Sequence, residues 1–327
     1  MPEFALCTYE NRPENFIGLK LLCLSVNRHN PGVAFFLYSN YFPPSLQEWV
    51  QDETQDVTLV EFSSERPMRW NVKPLVMLDM LTRGHSRVLW IDTDIIVTQN
   101  ISQLMNPIPS GTLGIAEEQG SFDQRRVSCH SMEVGRKFST SVNTGLIYIG
   151  NEHNPLLERW TTIMEGEFFQ RHLALPDEER PAYIWSDQDV LSGLLCAKAP
   201  EGFSEMPTQF FRVNEVIIHT AAAYRLKARL RHCIRPLAPF VHTNGHKPWY
   251  TLDDPHRRLE MLGVELSLYN HTARRYANAL TNEECEWISP RTLAARVCNL
   301  LVLGNPHLRG ALPMILNDIA RAWRWAR

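Results

Sequence analysis

The chain has 327 residues, of which 44% are hydrophobic and 21% are charged, and its formal net charge is −3. This length allows one large or two modest domains, and the composition allows a full apolar core, so it argues against an intrinsically disordered chain. No stretch approaches the roughly 18 uninterrupted apolar residues of a membrane span. We expect no nucleic-acid partner.

The N-terminal residues lack the basic region and long apolar stretch of a secretory signal peptide. Seven cysteines are scattered without CxxC or paired spacing, which favours reduced thiols. We therefore expect a cytosolic protein in which Cys7 and Cys23, set in apolar runs, are small core residues.

Strand-like and helix-like segments alternate along the chain. The early apolar pattern predicts strands at 4–9, 33–38, 57–62 and 88–91, with helices at 16–28 and 74–81. Further on it predicts strands at 112–116, 145–149, 217–219 and 240–242, with helices at 155–169 and 187–197. The alternation indicates βαβ units and a mainly parallel sheet, and residues 255–327 read as mainly helical.

Two aspartates one residue apart are the most informative feature. Residues 88–97 read V-L-W-I-D-T-D-I-I-V, an apolar run that contains Asp92 and Asp94. Side chains at positions i and i+2 of a strand share a face, so these carboxylates would need a cation, for which a hard divalent ion is suited. The alternative is a pair of solvated aspartates that cap a turn or a helix.

Four further motifs carry polar side chains at predicted element ends. Each has an ordinary structural explanation: Asp187 as a helix N-cap, Asn143 in a turn, a lone histidine in a core and a solvated loop lysine. The motifs are W-N-V-K-P at 70–74, V-N-T-G-L at 142–146, D-Q-D-V-L at 187–191 and H-T-N-G-H-K-P-W at 242–249. No G-x-x-x-x-G-K-[ST] loop is present, which argues against a P-loop enzyme.

Taken in order, these motifs resemble those of the retaining nucleotide-sugar glycosyltransferases of family eight, which include glycogenin and bacterial lipooligosaccharide galactosyltransferases. The resemblance runs from about Phe4 to Trp249. It implies an α/β, GT-A-like fold with a single Rossmann-type mixed sheet flanked by helices. We expect that domain to span residues 1–254 and a helical C-terminal extension to span 255–327.

The resemblance implies a metal and donor site. Asp92, Asp94 and His242 would bind Mn²⁺ (or Mg²⁺), and Asp187, Gln188 and Lys73 would act at the reacting sugar. Thr8, Tyr9 and Asn11 would hold the nucleobase. The remaining donor-binding residues would be Lys73, Asp92, Thr93, Asn143, Gly245 and Lys247. The chain departs from the family pattern in having one residue fewer between Gly245 and Lys247, and Ser192 in place of an asparagine.

The implied activity is metal-dependent transfer of a sugar from a nucleotide-sugar donor, by family habit a UDP-sugar, with retention of configuration. The acceptor would be a carbohydrate, a lipid-linked acceptor or a protein. Two alternatives stay open. One is a catalytically silent sugar-nucleotide-binding protein. The other is a metal-dependent phosphatase of the haloacid-dehalogenase type, whose D-x-D motif belongs to the first strand of its fold, whereas three predicted strands precede this motif.

The C-terminal residues are basic. From Arg291 onward there are six arginines, no lysine and one acid, Asp318. Residues 309–327 place apolar side chains at helical spacing, with tryptophans between the last arginines, a pattern that suits an anionic membrane surface. We therefore expect peripheral attachment at the inner face of the membrane. A terminal helix docked on its own domain, or a dimer contact, is the alternative.

Overall fold

A computed structural model describes residues 4–63, 72–118, 120, 122–181, 183–184, 186–219, 231, 235–244, 247–250, 267–288, 293 and 297. The chain forms two compact units. The first contains the described residues of Met1–Asn11, Pro31–Thr93 and Ile101–Arg212. The second contains Arg12–Asn30, Asp94–Asn100 and the described residues of Val213–Arg327.

The elements are numbered in chain order within the described residues. The strands are β1 (Ala5–Tyr9), β2 (Phe35–Ser39), β3 (Val57–Glu61), β4 (Arg87–Ile91), β5 (Ile95–Val97), β6 (Leu113–Glu118), β7 (Ser141–Gly150), β8 (Thr208–Phe211), β9 (Ile217–His219) and β10 (Phe240–His242). The α-helices are α1 (Phe16–His29), α2 (Pro44–Glu53), α3 (Val72–Thr82), α4 (Ser102–Met105), α5 (Arg125–Ser128), α6 (Asn154–Glu165), α7 (Glu167–Leu173), α8 (Asp187–Cys196), α9 (Leu268–Ala273) and α10 (Asn282–Cys285). Short 3-10 helices span Pro13–Asn15, Asn151–His153, Asp177–Glu179 and Arg274–Ala279.

The first unit is built on a mixed sheet. Among the described residues this sheet has seven strands in the order β3-β2-β1-β4-β7-β6-β8. Strands β3, β2, β1 and β4 are parallel, β7 runs antiparallel to both its neighbours, and β8 is parallel to β6. The predicted mixed α/β sheet is therefore confirmed.

The core of the first unit lies against the middle of this sheet. All ten residues of β7 are buried, and β4 is buried from Val88 to Ile91. Side chains such as Cys7 and Trp90 belong to one apolar cluster with Val76 of α3, Trp160 of α6 and Leu194 of α8. Strands buried on both faces read as continuous apolar runs, which explains the V-L-W-I sequence.

The second unit contains a smaller sheet and helices. In its described part three strands form the sheet, in which β10 pairs in parallel with β9 and antiparallel with β5. Helix α1 packs on β5, where the Ser25 hydroxyl accepts a hydrogen bond from the Val97 amide at 3.0 Å. The described part of the predicted extension, residues 267–288, is mostly helical. The basic segment 309–327 lies outside the described residues.

The fourth strand ends at Ile91 as predicted, but the two aspartates after it do not share one face of a strand. Strand β4 ends at Ile91, residues 92–94 lead through a turn, and β5 begins at Ile95 in the other sheet. Aspartate is disfavoured in strands and its carboxylate bonds readily at turns, so the polar D-T-D sequence interrupts the apolar run. The same-face argument for Asp92 and Asp94 therefore does not apply.

Other elements also differ from the prediction. The helix predicted at 155–169 is two helices, because Gly166 adopts extended backbone angles between α6 and α7. Strand β7 starts at Ser141, so Asn143 and Gly145 lie inside it and not at its start. Helix α2 and strand β8 were not predicted, although Pro44 at the first position of α2 is a recognised start signal.

Two further expectations concern compartment and membrane. Cys7 and Cys23 are buried free thiols, as predicted for small core residues. No helix in the described parts of the chain is both long and apolar enough to cross a membrane.

Candidate functional site

The first unit contains a buried lysine between two carboxylates. We call Lys73, Asp92, Thr144 and Asp187 the lysine cluster. The Lys73 Nζ atom lies 3.0 Å from Asp92 Oδ1 and 3.1 Å from Asp187 Oδ2. It also donates to the carbonyl and hydroxyl oxygens of Thr144, each at 3.1 Å. The first turn of α3, the end of β4, β7 and the start of α8 supply these residues.

Burial and charge set the protonation of the lysine cluster. Burial alone lowers the pKa of Lys73, but the carboxylates of Asp187 and Asp92 outweigh burial and raise that pKa above its ordinary value. Burial raises the pKa of Asp187, against the opposing charge of Lys73 and with the added repulsion of Asp92. One ammonium therefore neutralises part of the charge of two carboxylates, and the cluster keeps excess negative charge when both are ionised.

Trp90 orients Asp92. Its indole Nε1 donates to Asp92 Oδ1 at 2.7 Å, and its ring centroid lies 5.8 Å from Lys73 Nζ. Sequence analysis missed this residue. The available signal was the W-I-D sequence, which places an indole donor two residues before the carboxylate at the end of a predicted strand.

The second unit contains a buried carboxylate beside two histidines and a lysine. We call Asp94, His219, His242 and Lys247 the histidine cluster. His242 Nε2 lies 3.3 Å from Asp94 Oδ1, and Lys247 donates to Asp94 Oδ2. His242 Nδ1 lies 3.1 Å from His219 Nδ1. Strand β10 ends at His242, and Lys247 also donates to the Thr243 carbonyl at 3.2 Å.

Contacts with His242 and Lys247 favour the ionised form of Asp94. Burial alone raises the pKa of Asp94, but His242 and Lys247 outweigh burial and hold that pKa well below its usual range. An ionised carboxylate is the form that a metal ion requires. Burial, with a contribution from the charge of Asp94, raises the pKa of Tyr269 in the same unit well above its ordinary value.

The segment that carries Lys247 is held to Asn15, the residue directly before helix α1. The Tyr250 hydroxyl donates to Asn15 Oδ1 at 2.7 Å, and Trp249 Nε1 donates to the same oxygen at 3.4 Å. The Trp249 ring also lies against the Trp287 ring, with centroids 5.7 Å apart. These contacts restrict the motion of the residues directly after Lys247.

Residues of the predicted metal site have suitable chemistry. Asp94 and His242 lie together in the second unit, and Asp92 precedes Asp94 by two residues in the chain. Two carboxylates and an imidazole make a mixed oxygen and nitrogen ligand set, which suits Mn²⁺ among the first-row metals. The ionised state of Asp94 agrees with that assignment.

Thr93 is held by a buried glutamate that sequence analysis missed. The Thr93 hydroxyl donates to Glu10 Oε2 at 2.9 Å, and Glu10 Oε1 accepts from the Asn11 amide at 3.2 Å. Glu10 is only 1% exposed. It follows β1 directly in the T-Y-E-N sequence, so its position beyond a parallel strand was the available signal.

Both the nitrogen and the oxygen of the Asn143 side-chain amide form hydrogen bonds within the first unit. Its Nδ2 donates to Glu118 Oε2 at 2.7 Å, and its Oδ1 accepts from the Gly145 amide at 2.9 Å. The Gly145 carbonyl in turn accepts from the Asp92 amide at 2.8 Å. The motif therefore belongs to a strand and not to a turn, which was the ordinary alternative, and the backbone of this strand bonds directly to the D-T-D segment.

Asp187 is not the cap of α8. Ser186 occupies the N-cap position with extended backbone angles, and its amide donates to Asp189 Oδ2 at 3.2 Å. Asp187 is the first helical residue and points its carboxylate at Lys73. Gln188 is half-buried, and its backbone carbonyl accepts from the Ser192 hydroxyl at 2.6 Å. Ser192 thus uses its hydroxyl within the helix.

The side chains of the residues predicted to bind the nucleobase do not all point to the same side of the sheet. Thr8 and Tyr9 are successive residues of β1, so their side chains point to opposite faces of the sheet. Tyr9 packs against the core cluster of the first unit, while Asn11 is exposed after the strand. Gly245, the remaining predicted donor-binding residue, lies outside the described residues.

Comparison with known proteins supports the fold. No family model matches the sequence, and no curated protein shows detectable sequence similarity to it. Solved structures do match. The bifunctional glycosyltransferase WbbM gives a TM-score of 0.57 at 13% identity, over 87% of this chain and 51% of that chain. Galactosyltransferase LgtC, solved with donor and acceptor sugar analogues, gives 0.50 at 15% identity, over 84% of this chain and 100% of that chain.

A third match is GlyE of Streptococcus pneumoniae TIGR4, with a TM-score of 0.47 at 15% identity over 84% of this chain. The chain spans 63% of GlyE and about half of WbbM, so it is shorter than these two neighbours. The chain has the α/β fold of the GT-A glycosyltransferases. The predicted resemblance to glycosyltransferases is thereby confirmed at the level of fold.

Proposed function

We propose that this protein is a metal-dependent glycosyltransferase that moves a sugar from a nucleotide-sugar donor to an acceptor. The proposal depends mainly on one observation: the turn at residues 92–94 contributes one aspartate to the lysine cluster and one to the histidine cluster. Asp92 enters the lysine cluster, and Asp94 enters the histidine cluster, with only Thr93 between them in the chain. Asp94 is buried and Asp92 is half-buried, and removing carboxylate charge from water is costly, so a purely structural role does not explain them.

A divalent ion, Mn²⁺ or Mg²⁺, is the proposed cofactor. Asp92, Asp94 and His242 would hold it, and when bound it would supply Lewis-acid stabilisation of the departing diphosphate. LgtC was solved with donor and acceptor sugar analogues, which supports a nucleotide-sugar donor here. A UDP-sugar and retention of configuration are the finer parts of this proposal, and the family resemblance supports them.

The two lysines would stabilise the negative charge of the leaving group. Lys73 already carries its full positive charge between two carboxylates, because its pKa is raised. Lys247 is bound to Asp94 and to the Thr243 carbonyl, so its ammonium is held in place. Fixed cations that need no reorganisation are the most effective stabilisers of developing charge.

Asp187 and Gln188 are proposed to act at the sugar. Because Ser186 caps α8, the Asp187 carboxylate is available for an electrostatic role beside a developing cationic sugar. Gln188 is neutral and cannot act as a general base, so its role would be to position the reacting groups. Asn143 and Thr93 would orient the donor from rigid hydrogen-bonded sites.

The remaining parts of the proposal concern the nucleobase and the acceptor. Thr8, Tyr9, Asn11 and Gly245 are proposed donor-binding residues on the strength of the resemblance, and β1 allows only one of Thr8 and Tyr9 to face a given side of the sheet. The acceptor is proposed to be a carbohydrate, a lipid-linked molecule or a protein. A lipid-linked acceptor would agree with the basic segment 309–327.

The decisive experiment is a screen of nucleotide-sugar donors for Mn²⁺-dependent release of the nucleoside diphosphate. Asp94→Asn should abolish turnover. Because it also leaves Lys247 without its buried carboxylate partner, it should lower the unfolding temperature, so turnover is measured well below that temperature. Glu133→Gln, which removes one exposed carboxylate from an ion pair with Lys198, is the matched control and should keep full activity. Product NMR would report the anomeric configuration.

Two outcomes would overturn the proposal. Full activity of Asp94→Asn in EDTA would contradict a metal-dependent transferase. Tight donor binding without turnover over the whole acceptor panel would instead favour the silent sugar-nucleotide-binding protein. A phosphatase is disfavoured because the D-T-D turn follows the fourth strand, not the first.

A further inference from the structure

A second histidine supports the proposed ligand His242. Strands β9 and β10 both end in histidine and pair in parallel, with His219 directly opposite His242. Both side chains are buried, at 0% and 3% exposure, and their ring centroids lie 5.1 Å apart at 61°. The parallel endings I-I-H and F-V-H are visible in the sequence, but the pairing of the two strands is not.

The contact between these rings is directional. His219 Nδ1 and His242 Nδ1 lie 3.1 Å apart, so one must donate a proton and the other must accept it. The bond leaves Nε2 of His242 directed at Asp94 Oδ1, 3.3 Å away. A histidine held at one ring nitrogen presents the other nitrogen in a fixed direction.

Ligation would fix which nitrogen donates. A neutral imidazole that binds a metal through Nε2 carries its only proton on Nδ1. His242 Nδ1 must then be the donor, and His219 Nδ1 must be the acceptor. Metal-bound histidines generally need such a partner on the second nitrogen, most often a carboxylate or a carbonyl.

We propose that His219 is a positioning residue that accepts the Nδ1 proton of His242 and so aims His242 Nε2 at the metal. This inference rests on the proposed function, because it assigns His242 to the metal site. His219 itself would bind neither the metal nor the donor. Its contribution is the orientation and tautomer of its neighbour.

The test separates an acceptor from a space-filling side chain. His219→Phe keeps a planar ring without an acceptor, whereas His219→Asn keeps an oxygen near the position of Nδ1. Titration of each full-length variant with Mn²⁺, followed by the EPR signal of the free ion, should show about 10–100-fold weaker binding for His219→Phe. His219→Asn should recover most of that loss, and Ile218→Val on the same strand should bind like the wild type.

Equal Mn²⁺ affinity of His219→Phe and wild type would overturn the inference. The proposed activity fails separately, if the wild type binds Mn²⁺ normally but releases no nucleoside diphosphate from any donor. Wild type that binds no Mn²⁺ would overturn both. If the variants do not fold, ¹⁵N NMR of the histidine rings in Mg²⁺-bound wild type decides the question. The inference requires a proton on His242 Nδ1 and none on His219 Nδ1, and any other distribution contradicts it.

Discussion

Lys73 compensates the buried carboxylate of Asp187 and the half-buried carboxylate of Asp92, which makes its removal costly. In Lys73→Met, Asp92 and Asp187 would lose their shared cation, and breaking a buried ion pair from one side costs about 3–5 kcal/mol. Urea unfolding in EDTA should show that loss. The double variant Lys73→Met with Asp187→Asn should be more stable than Lys73→Met alone, because one of the unpaired charges is gone.

The control for this prediction is an exposed ion pair. Lys198 lies beside Glu133 with side chains that are 51% and 72% exposed, so Lys198→Met should cost at most about 1 kcal/mol. If Lys73→Met costs no more than Lys198→Met, the lysine cluster has no special role in stability and Asp92 and Asp187 are neutralised in another way.

The sequence predicted the motif residues of the site, but it did not predict the side chains that form hydrogen bonds with them. Motif order and resemblance gave Lys73, Asp92 and Asp187, which the structure brings together. Sequence reasoning missed Trp90 and Glu10, because a side-chain hydrogen bond depends on where an element ends and not on residue type. The N-cap explanation of Asp187 was wrong because the adjacent Ser186 is an equally good cap residue.

At the scale of elements, helices α8 and α5 pack closely together at Gly193. A Cβ atom on Gly193 would lie 2.4 Å from the Arg126 carbonyl oxygen, which is backbone and cannot rotate away. Arg126 also pairs with Asp189 of α8 at 2.8 Å. The absence of a side chain at Gly193 therefore permits the packing that holds the start of α8.

Gly193→Ala should consequently destabilise the protein. In an isolated helix this change stabilises by about 1 kcal/mol, but overpacking here should cost about 1–3 kcal/mol. Thermal unfolding would show a lower midpoint than that of the wild type, and Gln51→Ala on exposed α2 would leave it nearly unchanged. A higher midpoint for Gly193→Ala would mean that α5 moves aside at little cost.

Elements with strong local patterns were predicted well. Strands β1 and β4 and helix α1 appear within about two residues of their expected bounds, because each has a clear apolar pattern. The errors fall where local and tertiary preferences compete. Gly166 breaks an otherwise continuous helical pattern, and the apolar run around Asp92 belongs to two sheets that no local pattern distinguishes.

At the scale of the whole molecule, the sequence of the C-terminal segment predicts binding to anionic membranes. The full-length protein should co-sediment with phosphatidylserine vesicles at low salt, because arginines near an anionic surface contribute about 1 kcal/mol each. Deletion of residues 309–327 should abolish sedimentation while donor hydrolysis continues. Replacement of Arg321, Arg324 and Arg327 by glutamine is the matched variant, which keeps the apolar positions but removes the charge.

Neutral phosphatidylcholine vesicles serve as the lipid control. Equal sedimentation of the full-length and deleted forms with anionic vesicles would contradict membrane attachment through this segment. Unfolding of the deleted form would instead support a helix docked on its own domain.

The interleaving of the two units has a consequence for synthesis of the chain. The segments of the first unit are all made once the ribosome has passed Arg212, so its seven-stranded sheet has all its strands at that point. Helix α1 and strand β5 are made much earlier, yet strands β10 and β9, which complete the sheet of β5, come only after Val213. During most of translation, the apolar side chains of α1 therefore lack the later segments of their unit. Contact with chaperones should matter most for nascent chains shorter than about 240 residues, because these chains do not yet contain strand β10.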